Sequence, residues 1–132
     1  MKTLSNYINE VLNVKKTYYR TFVKSVKDKE KLRKIIEVML KKDKNADLNG
    51  IDVSNVTDMS ELFRDLDPRN IKIDQWDVSN VKDMNSMFMR CENFEGKGLE
   101  KWDVSNVEDM DWMFYECESL KNKPSWYKDE NA

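Results

Sequence analysis

The sequence contains no histidine, and it has little glycine, proline or cysteine. Without histidine, the chain lacks the side chain that titrates near neutral pH, the usual nitrogen ligand of zinc, and the base of Ser-His and Cys-His catalysis. The three glycines, Gly50, Gly96 and Gly98, are too scattered for a phosphate-binding loop. We therefore expect no catalytic residue, no metal site and no cofactor.

Long apolar runs are also missing. No stretch approaches the ~20 apolar residues needed to cross a bilayer. The first ten residues include Asn and Glu instead of the apolar centre of a secretory signal. We expect a cytoplasmic protein that does not contact a membrane, in which Cys91 and Cys117 remain reduced.

The length of 132 residues predicts one domain, and the charge within it is divided unevenly. Residues 1–46 hold 13 Lys and Arg and 5 Asp and Glu, whereas residues 47–132 hold 10 and 20. Three interpretations remain open. The two parts are solvated separately, the basic part contacts nucleic acid, or the acidic part mimics a polyanion.

A repeat of 25 to 26 residues is the strongest signal in the sequence. Asp-Val-Ser-Asn-Val occurs at 52–56, 77–81 and 103–107, and Asp-Met follows each copy two residues later. Within each repeat the apolar positions fall at steps of about three, which suits neither a long amphipathic helix nor an alternating strand. Such a chain buries its apolar residues when successive repeats stack.

Local signals predict a short helical turn and a short strand in each repeat. The residue after Asp-Met is Ser, Asn or Asp, and these types are preferred helix N-caps. The predicted N-caps are Ser60, Asn85 and Asp111. The predicted helical turns lie at 61–66, 86–91 and 112–117. The predicted parallel strands precede them, near 56–59, 81–84 and 107–110.

The pattern Trp-Asp-Val-Ser-Asn-Val-x-Asp-Met-x-x-Met-Phe-x-x-Cys closely resembles the repeat of the BspA-like bacterial surface-protein family, over roughly residues 48–126. The resemblance implies a right-handed solenoid, related to leucine-rich repeats, that binds other proteins without catalysis. The expected fold class is therefore an α/β repeat, a short leucine-rich-repeat-like right-handed solenoid with an N-terminal helical cap. This chain departs from the family in having about three repeats and no export signal.

The basic N-terminal part is predicted to be helical. Apolar residues at helical spacing predict a helix over about 28–43, and a shorter helix is predicted at about 4–13. Because the first repeat of a stack would expose apolar surface, this part is expected to cap it. The predicted division is a basic helical cap at 1–46, three repeats with a partial fourth at 47–126, and a tail at 127–132.

Carboxylates, cysteines and tryptophans recur at equivalent positions of the repeats, and for the first two a chemical role must be weighed against a structural one. The repeated carboxylates could bind calcium, but backbone capping is favoured because each repeat contributes one carboxylate to each column. These columns are Asp52, Asp77 and Asp103, and Asp58, Asp83 and Asp109. Cys91 and Cys117 stand where the first repeat has Leu66, so buried packing is favoured over a redox pair. The series Trp76, Trp102 and Trp126 is predicted to form a packed ladder.

One position breaks the pattern and suggests a binding surface. Trp112 stands where the other repeats have Glu61 and Ser86, so its indole is predicted to be exposed. Aromatic residues, Met and Arg are enriched at the centres of interfaces. The candidate partner-binding residues are Trp112, Tyr115, Met89, Arg90, Arg64 and Glu61. The alternative is packing of Trp112 beneath the tail around Pro124–Tyr127.

The predicted function is a non-catalytic protein–protein interaction module that acts as a monomer or weak dimer on an unidentified protein partner. The alternative is a small phage or mobile-element inhibitor that occupies the nucleic-acid groove of a host defence protein, with carboxylates standing in for phosphates. Direct nucleic-acid binding is not expected. It would use the basic residues Lys31, Arg33, Lys34, Lys41 and Lys42.

Overall fold

A computed structural model describes residues 26–128 of the chain. The regular elements in this range are one α-helix, α1 (Lys29–Lys42), and one short 3-10 helix, η1 (Leu99–Lys101). Parallel pairing is limited to three isolated bridges, Asp47 with Lys72, Asp58 with Asp83, and Asp83 with Asp109. No helix among the described residues is long and apolar enough to span a membrane.

Helix α1 agrees with the helix predicted over 28–43. The Asp28 carboxylate accepts a hydrogen bond from the Glu30 amide at 2.7 Å, which satisfies a free N–H group of the first turn. One face of the helix is apolar and buried, and it consists of Leu32, Ile35, Ile36, Met39 and Leu40. The shorter helix predicted at 4–13 lies outside the described residues, and the division at residues 46 and 126 stays a prediction.

Three successive repeats stack on one another: repeat 1 (residues 48–72), repeat 2 (73–98) and repeat 3 (99–123). Equivalent side chains of neighbouring repeats lie face to face. The ring centroids of Phe63 and Phe88 are 5.0 Å apart, and those of Phe88 and Phe114 are 5.7 Å apart. These rings belong to one continuous buried core that also includes the apolar face of α1.

The predicted tryptophan ladder is confirmed. The ring centroids of Trp76 and Trp102 are 6.2 Å apart and those of Trp102 and Trp126 are 6.4 Å apart, with interplanar angles of 10°. Each indole N–H donates to a carbonyl of the preceding repeat, as from Trp102 to Ile73 at 2.9 Å. Because a buried indole N–H needs an acceptor, this bond helps to set the register in which the repeats stack.

The predicted α/β fold class is wrong. Residues 26–128 contain no strand, and the predicted strands reduce to bridges at single residues. The segments predicted as helical turns are overlapping β-turns, as shown in repeat 1 by bonds from the Leu62 amide to the Met59 carbonyl and from the Arg64 amide to the Glu61 carbonyl. The leucine-rich-repeat-like right-handed solenoid expected with that class is therefore wrong as well.

Left-handed backbone explains why no helical turn forms. In repeat 1, Glu61 (φ 60°) and Asp65 (φ 61°) have positive φ, which interrupts a right-handed helix. The equivalent residues are also left-handed, and they are Ser86, Arg90, Trp112 and Glu116. The predicted N-caps are wrong too, because in repeat 1 the amides that a Ser60 cap would bind, those of Leu62 and Phe63, donate to the carbonyls of Met59 and Met87. The Glu61 amide donates to the Asn85 carbonyl of repeat 2.

Candidate functional site

The equivalent turn segments 61–65, 86–90 and 112–116 form backbone hydrogen bonds that run in one direction along the stack. The N–H groups of Glu61, Phe63 and Asp65 in repeat 1 donate to carbonyls of repeat 2 at 2.9, 2.8 and 3.1 Å. The same pattern joins repeat 2 to repeat 3 at 2.8 to 2.9 Å, and its donors are Ser86, Phe88 and Arg90. Along these turn segments the stack therefore has an acceptor end at repeat 1 and a donor end at repeat 3. Other segments bond in the opposite direction, as from the Lys82 amide to the Thr57 carbonyl at 2.8 Å.

Helix α1 covers the acceptor end. The Arg33 guanidinium donates to the carbonyls of Leu62 at 3.2 Å and Arg64 at 2.9 Å. A third bond goes to the Glu61 carbonyl at 2.7 Å. The Leu62 and Arg64 carbonyls are equivalent to those that accept N–H groups of a preceding repeat elsewhere in the stack. Arg33 thus takes the place of a preceding repeat.

Lys29 reinforces this contact between α1 and repeat 1. Its ammonium nitrogen lies 2.8 Å from Ser60 Oγ and 3.4 Å from Asp58 Oδ2. Partial burial opposes ionisation of Asp58, but hydrogen bonds from Ser60 and the nearby Lys29 charge outweigh it and lower the pKa of this carboxyl. Arg33 also pairs with Glu37 at 3.2 Å. Of the basic residues considered for nucleic-acid contact, Arg33 is therefore engaged in packing of the repeat stack.

The donor end is open. Among residues 26–128, no atom accepts a hydrogen bond from the N–H groups of Trp112, Phe114 and Glu116. Tyr127 packs edge-on against Phe114, with ring centroids 5.0 Å apart, and so covers the apolar core beside this edge. Among the described residues, this end of the stack is therefore closed over its core and open along its backbone.

The candidate partner-binding residues form a face that crosses the three repeats. Trp112 and Tyr115 are each 38% exposed and meet edge to face, with ring centroids 5.3 Å apart. They are the exposed large hydrophobic residues of the described part of the chain. The half-buried Met89 is the equivalent of Tyr115 in repeat 2. The predicted exposure of Trp112 is confirmed, and Tyr127 of the tail contacts Phe114 instead.

Ion pairs connect the charged members of this face. Arg90 lies 3.8 Å from Asp65 in repeat 1 and 3.5 Å from Glu116 in repeat 3. Arg64 lies 3.6 Å from Glu61. Asp65 and Glu116 were not among the residues predicted from the sequence. The signal that identifies them is the acid, base, acid alternation at one position of consecutive repeats.

The repeated aspartates cap the backbone, as favoured from the sequence. Asp77 Oδ1 accepts from the Ser79 amide at 3.0 Å and from the Ser79 hydroxyl at 2.6 Å. Asp52 and Asp103 accept the same two hydrogen bonds from the serine two residues later. The Ser79 hydroxyl and amide lower the pKa of Asp77. In the part of the chain that the structure describes, no three acidic or thiol side chains converge as a metal ion would require.

Both thiols are buried and free. Cys91 Sγ donates to the Phe63 carbonyl at 3.1 Å, and Cys117 Sγ donates to the Phe88 carbonyl at 2.9 Å. Burial raises the pKa of both thiols, and that of Cys117 reaches about 11. Because the thiolate is the reactive form, these are packing residues with little nucleophilic character.

Neither thiol is expected to react in the folded protein. We expect iodoacetamide at mildly alkaline pH to modify neither Cys91 nor Cys117 in buffer, and both in concentrated denaturant, because unfolding removes the burial that raises their pKa values. Mass spectrometry of the intact protein measures the number of modified thiols. Modification of the native and denatured protein at equal rates would contradict this expectation.

Comparison with known proteins gives one match. Residues 30–132 match the family described as "Mycoplasma protein of unknown function, DUF285". The chain belongs to this family. The DUF285 match begins at the second residue of α1 and includes all three repeats. The helix that covers the acceptor end and the stack that it covers are therefore parts of the same family unit. The chain matches no curated protein and no solved structure.

Proposed function

We propose that this DUF285 protein is a non-catalytic module that binds another protein through the face around Trp112 and Tyr115. The exposed edge-to-face pair of these two rings carries the proposal. Aromatic residues are enriched at interface centres because they bury much apolar area and lose little conformational freedom. The resemblance of the repeat to the BspA-like family, whose repeats bind proteins, supports the same function.

The surroundings of the aromatic pair suit a protein interface. The ion pairs of Arg90 with Asp65 and Glu116 supply a polar rim around an apolar centre. Half-buried Met89 extends the apolar centre into repeat 2. The proposal includes no nucleic acid, membrane or cofactor, and the protein is proposed to act as a monomer or weak dimer.

The double substitution Trp112→Ala and Tyr115→Ala is expected to abolish partner capture and to leave folding intact. Central interface aromatics contribute about 2 kcal/mol or more each, which corresponds to a loss of at least about thirtyfold per residue. The free energy of unfolding should change by less than about 1 kcal/mol, because both rings are partly solvated. Quantitative affinity capture from native lysate and urea unfolding provide the two measurements.

The control for this experiment lies on another part of the surface. Lys72 and Lys97 line one shallow depression together with Asp74, and the variant Lys72→Ala/Lys97→Ala should capture the partner as the wild type does. Equal capture by the wild type and the aromatic double variant would show that the proposed face is wrong.

Ionic strength separates this proposal from nucleic-acid mimicry. The exposed column of Asp52, Asp77 and Asp103 presents the carboxylates that mimicry requires. Binding through such carboxylates should fall by orders of magnitude between about 0.05 and about 0.2 M salt. An interface centred on aromatic rings should weaken little over this range. Capture that collapses with salt and survives the aromatic double substitution would favour mimicry.

A further inference from the structure

The open donor edge of repeat 3 lies beside the exposed aromatic pair. Its N–H groups belong to Trp112, Phe114 and Glu116, and they alternate along the chain as they do in the inner repeats. Unpaired backbone N–H groups in a regular row form a template for pairing with another chain. At the opposite end, Arg33 binds two of the corresponding carbonyls, those of Leu62 and Arg64.

The two inner junctions show which backbone fits this edge. Repeat 2 covers the donor edge of repeat 1 with the carbonyls of Asn85, Met87 and Met89, at N–O distances of 2.8 to 3.1 Å. Neighbouring repeats run parallel, as the bridge between Asp58 and Asp83 records. A chain segment that covers repeat 3 in the same way therefore runs parallel to residues 111–117 and presents every second carbonyl.

Charge specifies one side chain of that segment. At a single position of the repeats the residues alternate in sign, from Asp65 through Arg90 to Glu116, and Arg90 pairs with both acids. If a further chain segment continued this alternation of charge beyond repeat 3, it would place a basic residue over Glu116. Opposite charge at this position favours a parallel segment in the same register and disfavours an acidic one.

We propose that the edge formed by the N–H groups of Trp112, Phe114 and Glu116 binds a parallel segment of a partner protein that accepts through alternate carbonyls and places Lys or Arg over Glu116. This inference rests on the proposed function, because it names the kind of segment that the same face binds. A second copy of the chain does not offer its own acceptor edge, since α1 covers that edge.

The first test asks whether the edge is open in the full-length chain. In amide hydrogen exchange followed by NMR, the N–H groups of Trp112, Phe114 and Glu116 should exchange about a hundredfold faster than those of Ser86 and Arg90, their bonded equivalents in repeat 2. Equally slow exchange would mean that another part of the chain already covers the edge, and it would overturn the inference.

The second test supplies a segment of the required kind. The probe is an acetylated and amidated peptide with the sequence of residues 82–90, which covers repeat 1 in the structure and ends in Arg90. It should slow exchange of the three edge amides and shift their resonances, whereas the same residues in reversed order should not. The variant Glu116→Gln should weaken this binding about two- to fivefold, as expected for one exposed ion pair.

Two outcomes distinguish a failure of this inference from a failure of the proposed function. If the peptide protects the edge amides but partner capture survives the substitutions Trp112→Ala and Tyr115→Ala, the proposed face is wrong and the edge assignment stands. If those substitutions abolish capture but the peptide protects none of the three amides, the edge assignment is overturned and the proposed face stands.

Discussion

Replacing Phe88 by alanine is expected to lower the free energy of unfolding by about 3 to 5 kcal/mol. Phe88 is fully buried, and its ring lies between those of Phe63 at 5.0 Å and Phe114 at 5.7 Å. It also stacks on Phe94 at 4.3 Å. One truncation therefore creates a cavity that all three repeats line. Since small domains are stable by about 5 to 15 kcal/mol, this loss is a large fraction of the total free energy of unfolding.

Two variants separate lost packing from general sensitivity to mutation. Phe88→Leu keeps most of the volume and should lose about 1 to 2 kcal/mol, because it forfeits the aromatic contacts but leaves a smaller cavity. Tyr115→Ala removes a ring that is 38% exposed and should lose less than about 1 kcal/mol. Urea unfolding followed by circular dichroism gives all three values. A loss below about 1 kcal/mol for Phe88→Ala would contradict the close stacking of the rings.

Replacing Arg33 by alanine is expected to lower the free energy of unfolding by about 2 to 3 kcal/mol. The substitution leaves the carbonyls of Glu61, Leu62 and Arg64 without their guanidinium donor. Hydrogen bonds from a charged donor are worth about 1.5 to 3 kcal/mol each when buried. The side chain is 27% exposed, so water replaces part of what is lost and the sum is reduced.

The geometry of the guanidinium makes the effect specific. Lysine carries the same charge as a single ammonium group and does not reproduce the forked contact with Leu62 and Arg64, so Arg33→Lys should still lose about 1 to 2 kcal/mol. The adjacent Lys34 is exposed on α1, and Lys34→Ala should change stability by less than about 0.5 kcal/mol. If Arg33→Ala and Lys34→Ala were equally mild, Arg33 would not be closing the acceptor end of the stack.

Side-chain patterns predicted those features that follow from burial alone. The apolar spacing of α1 identified the helix, and the recurrence of Trp76 and Trp102 identified the ladder that the structure confirms. Trp112 is exposed as predicted and so is its counterpart Glu61, but the polar counterpart Ser86 is buried. For the helix and the ladder, the choice between buried and exposed follows from residue type and spacing.

Backbone conformation could not be read in the same way. Ser60, Asn85 and Asp111 are residue types that are preferred as helix N-caps. In the structure the amide of each donates to the aspartate two residues earlier, and the residue after each has positive φ. The left-handed residues of these turn segments are Glu, Ser, Trp, Asp and Arg, none of them glycine, so their residue types did not indicate positive φ. The stacked repeats hold these residues in place, because bonds to the next repeat satisfy their N–H groups in all but repeat 3.

The stacking of three repeats with like residues over like follows from the residue types, because only such stacking buries the apolar positions of each repeat. The direction of the backbone hydrogen bonds between repeats follows only from the folded structure, in which the turn segments donate to the next repeat and residues such as Lys82 donate to the preceding one. The direction in the turn segments makes one end of them an acceptor edge covered by Arg33 and the other a donor edge at repeat 3. Every residue except proline carries both an N–H and a carbonyl group, so residue types do not encode which of them faces the next repeat.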